Sequence, residues 1–109
     1  IRFSNTATAS TKNQTHPNDF LYPFSYPNPF NPSTNIVFSI NEKSPVQIHI
    51  YSISGEKINE YNLGILDQGK HTKSWHSKNK NGAPVPSGVY IFFVETKNKK
   101  ESGKMILLR

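Results

Sequence analysis

Asn79-Lys80-Asn81-Gly82-Ala83-Pro84-Val85-Pro86-Ser87-Gly88-Val89-Tyr90 runs directly into Ile91-Phe92-Phe93-Val94. Asn81-Gly82 supplies the positive-φ positions that a tight turn needs. Pro84 and Pro86 then hold the chain extended and remove two backbone donors from any ladder. Gly88 lets the chain turn inward, and Val89 to Val94 is apolar on both faces. A strand of that kind has to be covered on both sides or paired centrally. It is the expected central strand, and the remaining strands can be placed around it.

Before it, Asn35 to Ile40 alternates, with Ile36, Phe38 and Ile40 on one face, and Val46, Ile48 and Ile50 repeat the pattern after the turn Asn41–Pro45. His49 falls on the outward face of that strand. Ile53-Ser54-Gly55-Glu56 reads as a hairpin turn with glycine left-handed. Ile58, Tyr61 and Leu63 do not share one parity, so a β-bulge is expected near Asn59 and Glu60. Leu66 to Gly69 closes a loop, His71 to Trp75 is the next strand, and Trp75, the single tryptophan, should anchor the core. After a turn at Lys97–Lys100, Gly103 to Arg109 forms the last strand. Burying Ile106, Leu107 and Leu108 there would contribute about 1.5–3 kcal/mol each. Against a total of about 5–15 kcal/mol, that makes the last strand indispensable.

Upstream, Phe20-Leu21-Tyr22-Pro23-Phe24-Ser25-Tyr26 is aromatic and interrupted by Pro23, as suits an edge strand packed on the core. Tyr26-Pro27-Asn28-Pro29-Phe30-Asn31-Pro32 follows as a stiff corner, with Phe30 placed to plug one end. A polyproline ligand for another module is the functional alternative for that segment. About seven strands at this spacing predict an all-β antiparallel sandwich over residues 20–109. Residues 1–19 are mostly Ser, Thr, Asn, Lys and Gln, the composition of an extended arm or linker. Thr6 to Thr11 could instead lie along a sheet edge, of its own domain or a neighbour's.

The totals set limits. A chain of 109 residues suits one domain that buries roughly two-thirds of its unfolded surface. With no cysteine, neither disulfides nor thiolate metal sites are available. No apolar run approaches the roughly 20 residues of a membrane span. The first residue is Ile1 and no signal peptide is visible, so the chain reads as a processed product or a piece of something longer. The net charge of +6 invites a nucleic-acid reading. The lysines are scattered, however, and Lys97, Lys99 and Lys100 share one turn without a basic helix or interleaved aromatics. No nucleic-acid partner is expected.

No catalytic motif is present. His71 and His76 straddle Trp75 on opposite faces, and no clustered third ligand accompanies them. Ser77 to Gly82 has a calcium-loop rhythm but carries two lysines and no carboxylate. The expectation is a non-enzyme with no cofactor, no metal and no catalytic residues. Aromatics such as Tyr22 and Tyr61 offer only generic support for carbohydrate binding.

Five segments in order carry a family likeness: Tyr26-Pro-Asn-Pro-Phe-Asn-Pro-Ser-Thr34, Ile50-Tyr-Ser-Ile-Ser-Gly-Glu56, Gly69-Lys-His-Thr-Lys-Ser-Trp75, Asn81-Gly-Ala-Pro-Val-Pro-Ser-Gly-Val-Tyr90 and Lys104-Met-Ile-Leu-Leu108. Over about residues 20–109 they resemble the type A C-terminal sorting domain of type IX secretion cargo and the related Ig-like domain of FlgD-type hook-capping proteins. The resemblance implies an Ig-like sandwich on a secreted bacterial protein, recognised at the outer membrane by the secretion machinery of Bacteroidetes and their relatives. The family's recurrent motifs fall on Pro27, Asn28, Pro29 and Phe30, on Gly88 and Tyr90, and on Lys104, Ile106 and Leu108. The sequence departs where His76-Ser77 replaces a common Asp-Gly, and where Lys73 takes a place that is usually apolar. The implied partners are proteins and the implied location is outside the cell or on its outer surface. A second reading is a structural subunit of an extracellular assembly or filament. Its N-terminal arm would pack on a neighbouring copy, giving a homo-oligomer.

Overall fold

The computed structural model describes residues 22–109. The expected arm over 1–19, the Thr6–Thr11 segment, the boundary at residue 20 and the start of the aromatic strand at Phe20 and Leu21 lie outside the described residues.

Alternation decides the layers. β1 (Phe24–Tyr26), β2 (Thr34–Ile40) and β5 (Gly69–Trp75) form one antiparallel sheet in the order β1-β2-β5. β3 (Ser44–Ser52), β4 (Lys57–Leu66), β6 (Gly88–Glu95) and β7 (Lys100–Leu107) form the other, in the order β4-β3-β6-β7. Every second residue of β2 and β3 faces the partner sheet: Ile36, Phe38 and Ile40 from one, Val46, Ile48 and Ile50 from the other. Tyr90, Phe92 and Val94 of β6, Met105 and Leu107 of β7, and a fully buried Trp75 complete the core. The fold is thus an all-β sandwich of seven described strands.

The parity conflict in β4 is resolved by two bulges. Ile50 faces Asn59 but Tyr51 faces Lys57, so Ile58 is the extra residue, and Ile58 and Asn59 both turn inward. A second register shift beside Val46 makes Leu63 the other extra residue. The sequence reading placed one bulge a residue late and missed the second.

β6 is central, as its composition demands, but its outer face is only half-covered. Neighbouring rows shield it: Tyr51 meets Phe93 edge-on at 5.7 Å, and Lys100 Nζ sits 4.9 Å above the same ring. On that face His49 lies between Glu60 at 3.6 Å and Glu95 at 3.3 Å. Lys57, hydrogen-bonded to Glu60, holds that carboxyl below the usual carboxylate range.

Three further expectations need correction. Tyr22, Phe24 and Tyr26 face solvent rather than the core, because Pro23 and Ser25 occupy the inward positions. Asn81-Gly82 does lie in a tight turn, with Gly82 N–H donating to the Asn79 carbonyl at 2.9 Å, but of the two residues only Gly82 takes positive φ. In the last strand Met105 and Leu107 are the buried residues, whereas Ile106 is half-buried on the outer face and Leu108 is 56% exposed. An unbroken apolar run carries no parity signal, so the inward face could not be read from it.

The edges are blunted by inward-pointing polar side chains. On β5, Lys73 points in and places its Nζ 4.5 Å from the centre of the Tyr61 ring, leaving Tyr61 half-buried rather than displayed. His71 packs on Phe38 with ring centroids 5.6 Å apart and donates from Nε2 to the Asp67 carbonyl at 2.7 Å. Lys73 therefore closes the open side of the sandwich with its stem, the role an apolar residue would fill.

Candidate functional site

β7 is the edge of its sheet and would expose a row of unpaired backbone groups. The proline corner covers it. Prolines on both sides of Asn28 keep this segment extended and leave it few amide donors of its own, so the side chain of Asn28 does the pairing. Its Nδ2 donates to the Lys104 carbonyl at 3.0 Å, and its Oδ1 accepts from the Ile106 N–H at 2.9 Å. The carboxamide presents an N–H and a C=O side by side, as a strand residue presents its own N–H and C=O to a parallel neighbour, so Asn28 acts as one residue of a neighbouring strand. The next pairing comes from backbone: Phe30 N–H donates to Ile106 O at 2.9 Å and Leu108 N–H to Phe30 O at 3.0 Å. Phe30 and Leu107 form a parallel bridge, the stitch between the corner and the four-stranded sheet.

Beneath this seam lies an aromatic row. Phe30, 3% exposed, meets Trp75 at 5.9 Å, and Trp75 meets Tyr90 at 5.4 Å in a T-shaped contact. These are distances at which edge-to-face rings attract beyond simple burial. Tyr90 stands opposite Met105 in the β6–β7 ladder, and Gly88 opposite Leu107. Burial pushes the Tyr90 phenol above its ordinary pKa, and its hydroxyl donates to Pro86 O at 2.6 Å.

The loop 76–87 is folded back on the same end by core side chains. Trp75 Nε1 and Asn59 Nδ2 both donate to Lys78 O, at 3.0 and 2.9 Å. Asn79 Oδ1 accepts from the N–H groups of Asn81 and Ala83, both at 3.0 Å. Ser77, fully buried, takes φ 61° and donates its hydroxyl to Pro32 O. Here a serine accepts the left-handed backbone that favours glycine, at the place where the sequence departs from the common Asp-Gly. Arg109 then clamps the loop: its N–H donates to Ser87 Oγ at 2.8 Å, its Nε to Val85 O at 2.7 Å and its Nη2 to Ser77 O at 3.2 Å.

All nine sequence-selected residues therefore lie at one end of the sandwich, in two kinds of environment. Phe30 and Tyr90 are buried and support the seam, with Gly88 half-buried beside them. Pro27, Asn28, Pro29, Lys104 and Leu108 are exposed, and Ile106 is half-exposed. Sequence reading missed Arg109, Ser77, Asn59 and Asn79. The Asn79-x-Asn-Gly spacing carried a turn signal that could have found Asn79; nothing local announces the others. Among the described residues no group of three His, Asp or Glu side chains is placed to hold a metal ion, and no helix is long and apolar enough to cross a membrane.

The family model of the FlgD Ig-like domain matches residues 29–100. The chain belongs to the FlgD Ig-like domain family. Among solved structures the domain is similar to FlgD from P. aeruginosa, with a TM-score of 0.58 and 24% identity over 69% of this chain and 59% of that one. It is also similar to dimeric latent PorU from Porphyromonas gingivalis, with a TM-score of 0.61 and 18% identity over 80% of this chain. PorZ, an essential bacterial surface component of the type-IX secretion system of P. gingivalis, gives 0.57 and 18% over the same share. The domain spans only 9% of PorU and 11% of PorZ. At these identities the three likenesses establish the fold. No curated protein matches the chain.

Proposed function

We propose that the domain is a non-catalytic sorting module of a secreted or outer-surface bacterial protein, read by type IX secretion machinery at the seam between the proline corner and β7. The observation that supports this most is convergence: segments 76 and 78 residues apart in the chain meet through Asn28, and Pro29, Lys104 and Leu108, which flank that junction along the two segments, are exposed. The buried members make a rigid platform and the exposed members offer a proline, a cation and an aliphatic side chain. Such a surface suits a protein partner better than a small substrate, because binding energy at protein interfaces concentrates in a few side chains on a well-packed base. The type-IX setting of PorZ favours the same reading.

The test is export. A reporter fused ahead of residue 20 should be exported by a type IX-competent bacterium, and the double variant Lys104→Glu/Leu108→Asp should be retained while melting at the parent temperature. Retention of the unmodified fusion would refute the reading. Export of the double variant at parental levels would move recognition to another face.

A further inference from the structure

The outer face of the three-stranded sheet carries a row of rings. Over residues 22–26 the side chains run exposed, buried, exposed, buried, exposed, which sets Tyr22, Phe24 and Tyr26 on that face at 72%, 49% and 71% exposure. Alternate strand residues stand about 7 Å apart, so the rings line one edge for about 14 Å. The ladders fix what lies beside them. Tyr26 faces Asn35, which faces Ser74; Phe24 faces Val37, which faces Thr72. The rings therefore border a shelf of short side chains, most of them amide or hydroxyl. Ser74 Oγ donates to Asn35 Oδ1 at 2.7 Å, and Asn35 Nδ2 reaches the Tyr26 carbonyl at 3.4 Å, which orients the carboxamide. One Nδ2 hydrogen and the Ser74 lone pairs are left for a ligand.

Area and charge select the occupant. Three strands about 4.8 Å apart and five residues at about 3.4 Å each give a face of about 240 Å². A stable protein interface takes about 800 Å² from each partner, so the face is too small for a second copy or another globular surface. Single-stranded nucleic acid stacked on aromatic rings needs a basic groove along its backbone. Here Lys70 is the one charged side chain at the outward positions of the three strands. The complement of this face is a slim, uncharged ligand with an apolar side for the rings and hydroxyls at its rim for the shelf. We propose that the outer face of β1, β2 and β5 binds a neutral β-linked glycan. Its sugar rings lie C–H side down on Tyr22, Phe24 and Tyr26, and its equatorial hydroxyls bond to Asn35 and Ser74. A β-linkage between equatorial positions keeps successive sugars extended, as a straight row of rings requires. The site is on the other sheet from β7 and is independent of the sorting reading.

Titration of the full 109-residue chain with cellohexaose, laminarihexaose and xylohexaose, followed by NMR, tests this. At millimolar concentration at least one should shift the ring signals of Phe24 and Tyr26 together with the Asn35 carboxamide. Phe24→Ala and Tyr26→Ala should each weaken that binding about tenfold. Tm should stay within about 3 °C of the parent, since both rings face water. No response to any of the three sugars, shifts confined to another face, or undiminished binding by both variants would overturn the proposal. A stronger response to oligothymidine would assign a nucleic-acid platform, and a sedimentation coefficient that falls in Tyr26→Ala would assign the rings to a second copy; either overturns it too. Should a variant fail to fold, the shifts in the unaltered protein decide.

Discussion

The two ends of the sandwich are built by opposite means. At the seam end, long connections (27–33 and 76–87) and the C-terminus are bound by side chains: Asn28, Asn59, Trp75, Ser77, Asn79 and Arg109 each take up backbone groups that regular strands would have paired. At the far end the strands are joined by short turns; the buried Ser44 hydroxyl accepts from Lys97 N–H at 3.0 Å there, and further polar contacts lie on the surface, such as Lys97–Glu42 at 3.8 Å and Asn98 Nδ2 donating to Glu42 at 2.7 Å. The difference teaches where the sequence invests its special residues. Irregular backbone next to a core has to have its donors and acceptors met, so prolines, asparagines and an arginine gather where the chain is least regular. Tight turns satisfy themselves and tolerate almost any polar residue.

The comparison can be broken in graded steps. Deleting Lys104 to Arg109 removes Met105, Leu107 and the partner of the whole seam together. Cooperative thermal unfolding should disappear, and a sharp melt near the parent temperature would contradict the account. Phe30→Ala takes one ring out of the aromatic row and should cost about 3–5 kcal/mol by chemical denaturation. Gly103→Ala tests packing away from both ends: a Cβ at that position would meet the Phe92 ring at 2.4 Å, so about 1–3 kcal/mol should be lost as the ring is displaced. Glu42→Ala, at the far end, should change stability by less than about 0.5 kcal/mol, because exposed pairs contribute little.

Much of this fold was legible in the sequence. The period of two in Ile36–Ile40 and Val46–Ile50 marks an inward face wherever small or polar residues separate the apolar ones, and Trp75 had nowhere to go but the core. Phe30 as a plug followed from a bulky ring set between prolines. What stayed hidden lacked a local signal. In Ile106-Leu107-Leu108 every residue is apolar, so only the ladder with β6 picks out Leu107. In β1 the aromatic side chains face water because the edge strand's inward row falls on Pro23 and Ser25, a tertiary outcome that propensity does not encode. The motif residues could be named from the family likeness. Their meeting could not, because Asn28 finds its partners 76 and 78 residues away.

Alkaline titration offers a further check, since burial acts on two phenols, Tyr90 at the seam end and the half-buried Tyr61 of β4. Burial raises the pKa of both Tyr61 and Tyr90 above the ordinary value of 10.0. The folded state then keeps protons that the unfolded state releases, so their share of stability is complete below pH 10 and is lost as pH climbs from there towards the raised folded values. Tm measured across that window should fall less steeply in Tyr61→Phe/Tyr90→Phe than in the parent, and identical slopes would contradict the assignment.

Amide hydrogen exchange on β7 tests the central claim most directly. An edge strand open to water exchanges its outward amides quickly. The seam predicts that Ile106 and Leu108 are strongly protected, that Asn28→Ala releases Ile106, and that Leu108, held by the Phe30 carbonyl, stays slow in that variant. Rapid exchange at Ile106 in the unaltered domain, or an Ile106 rate indifferent to Asn28→Ala, would show that the proline corner does not pair with the last strand.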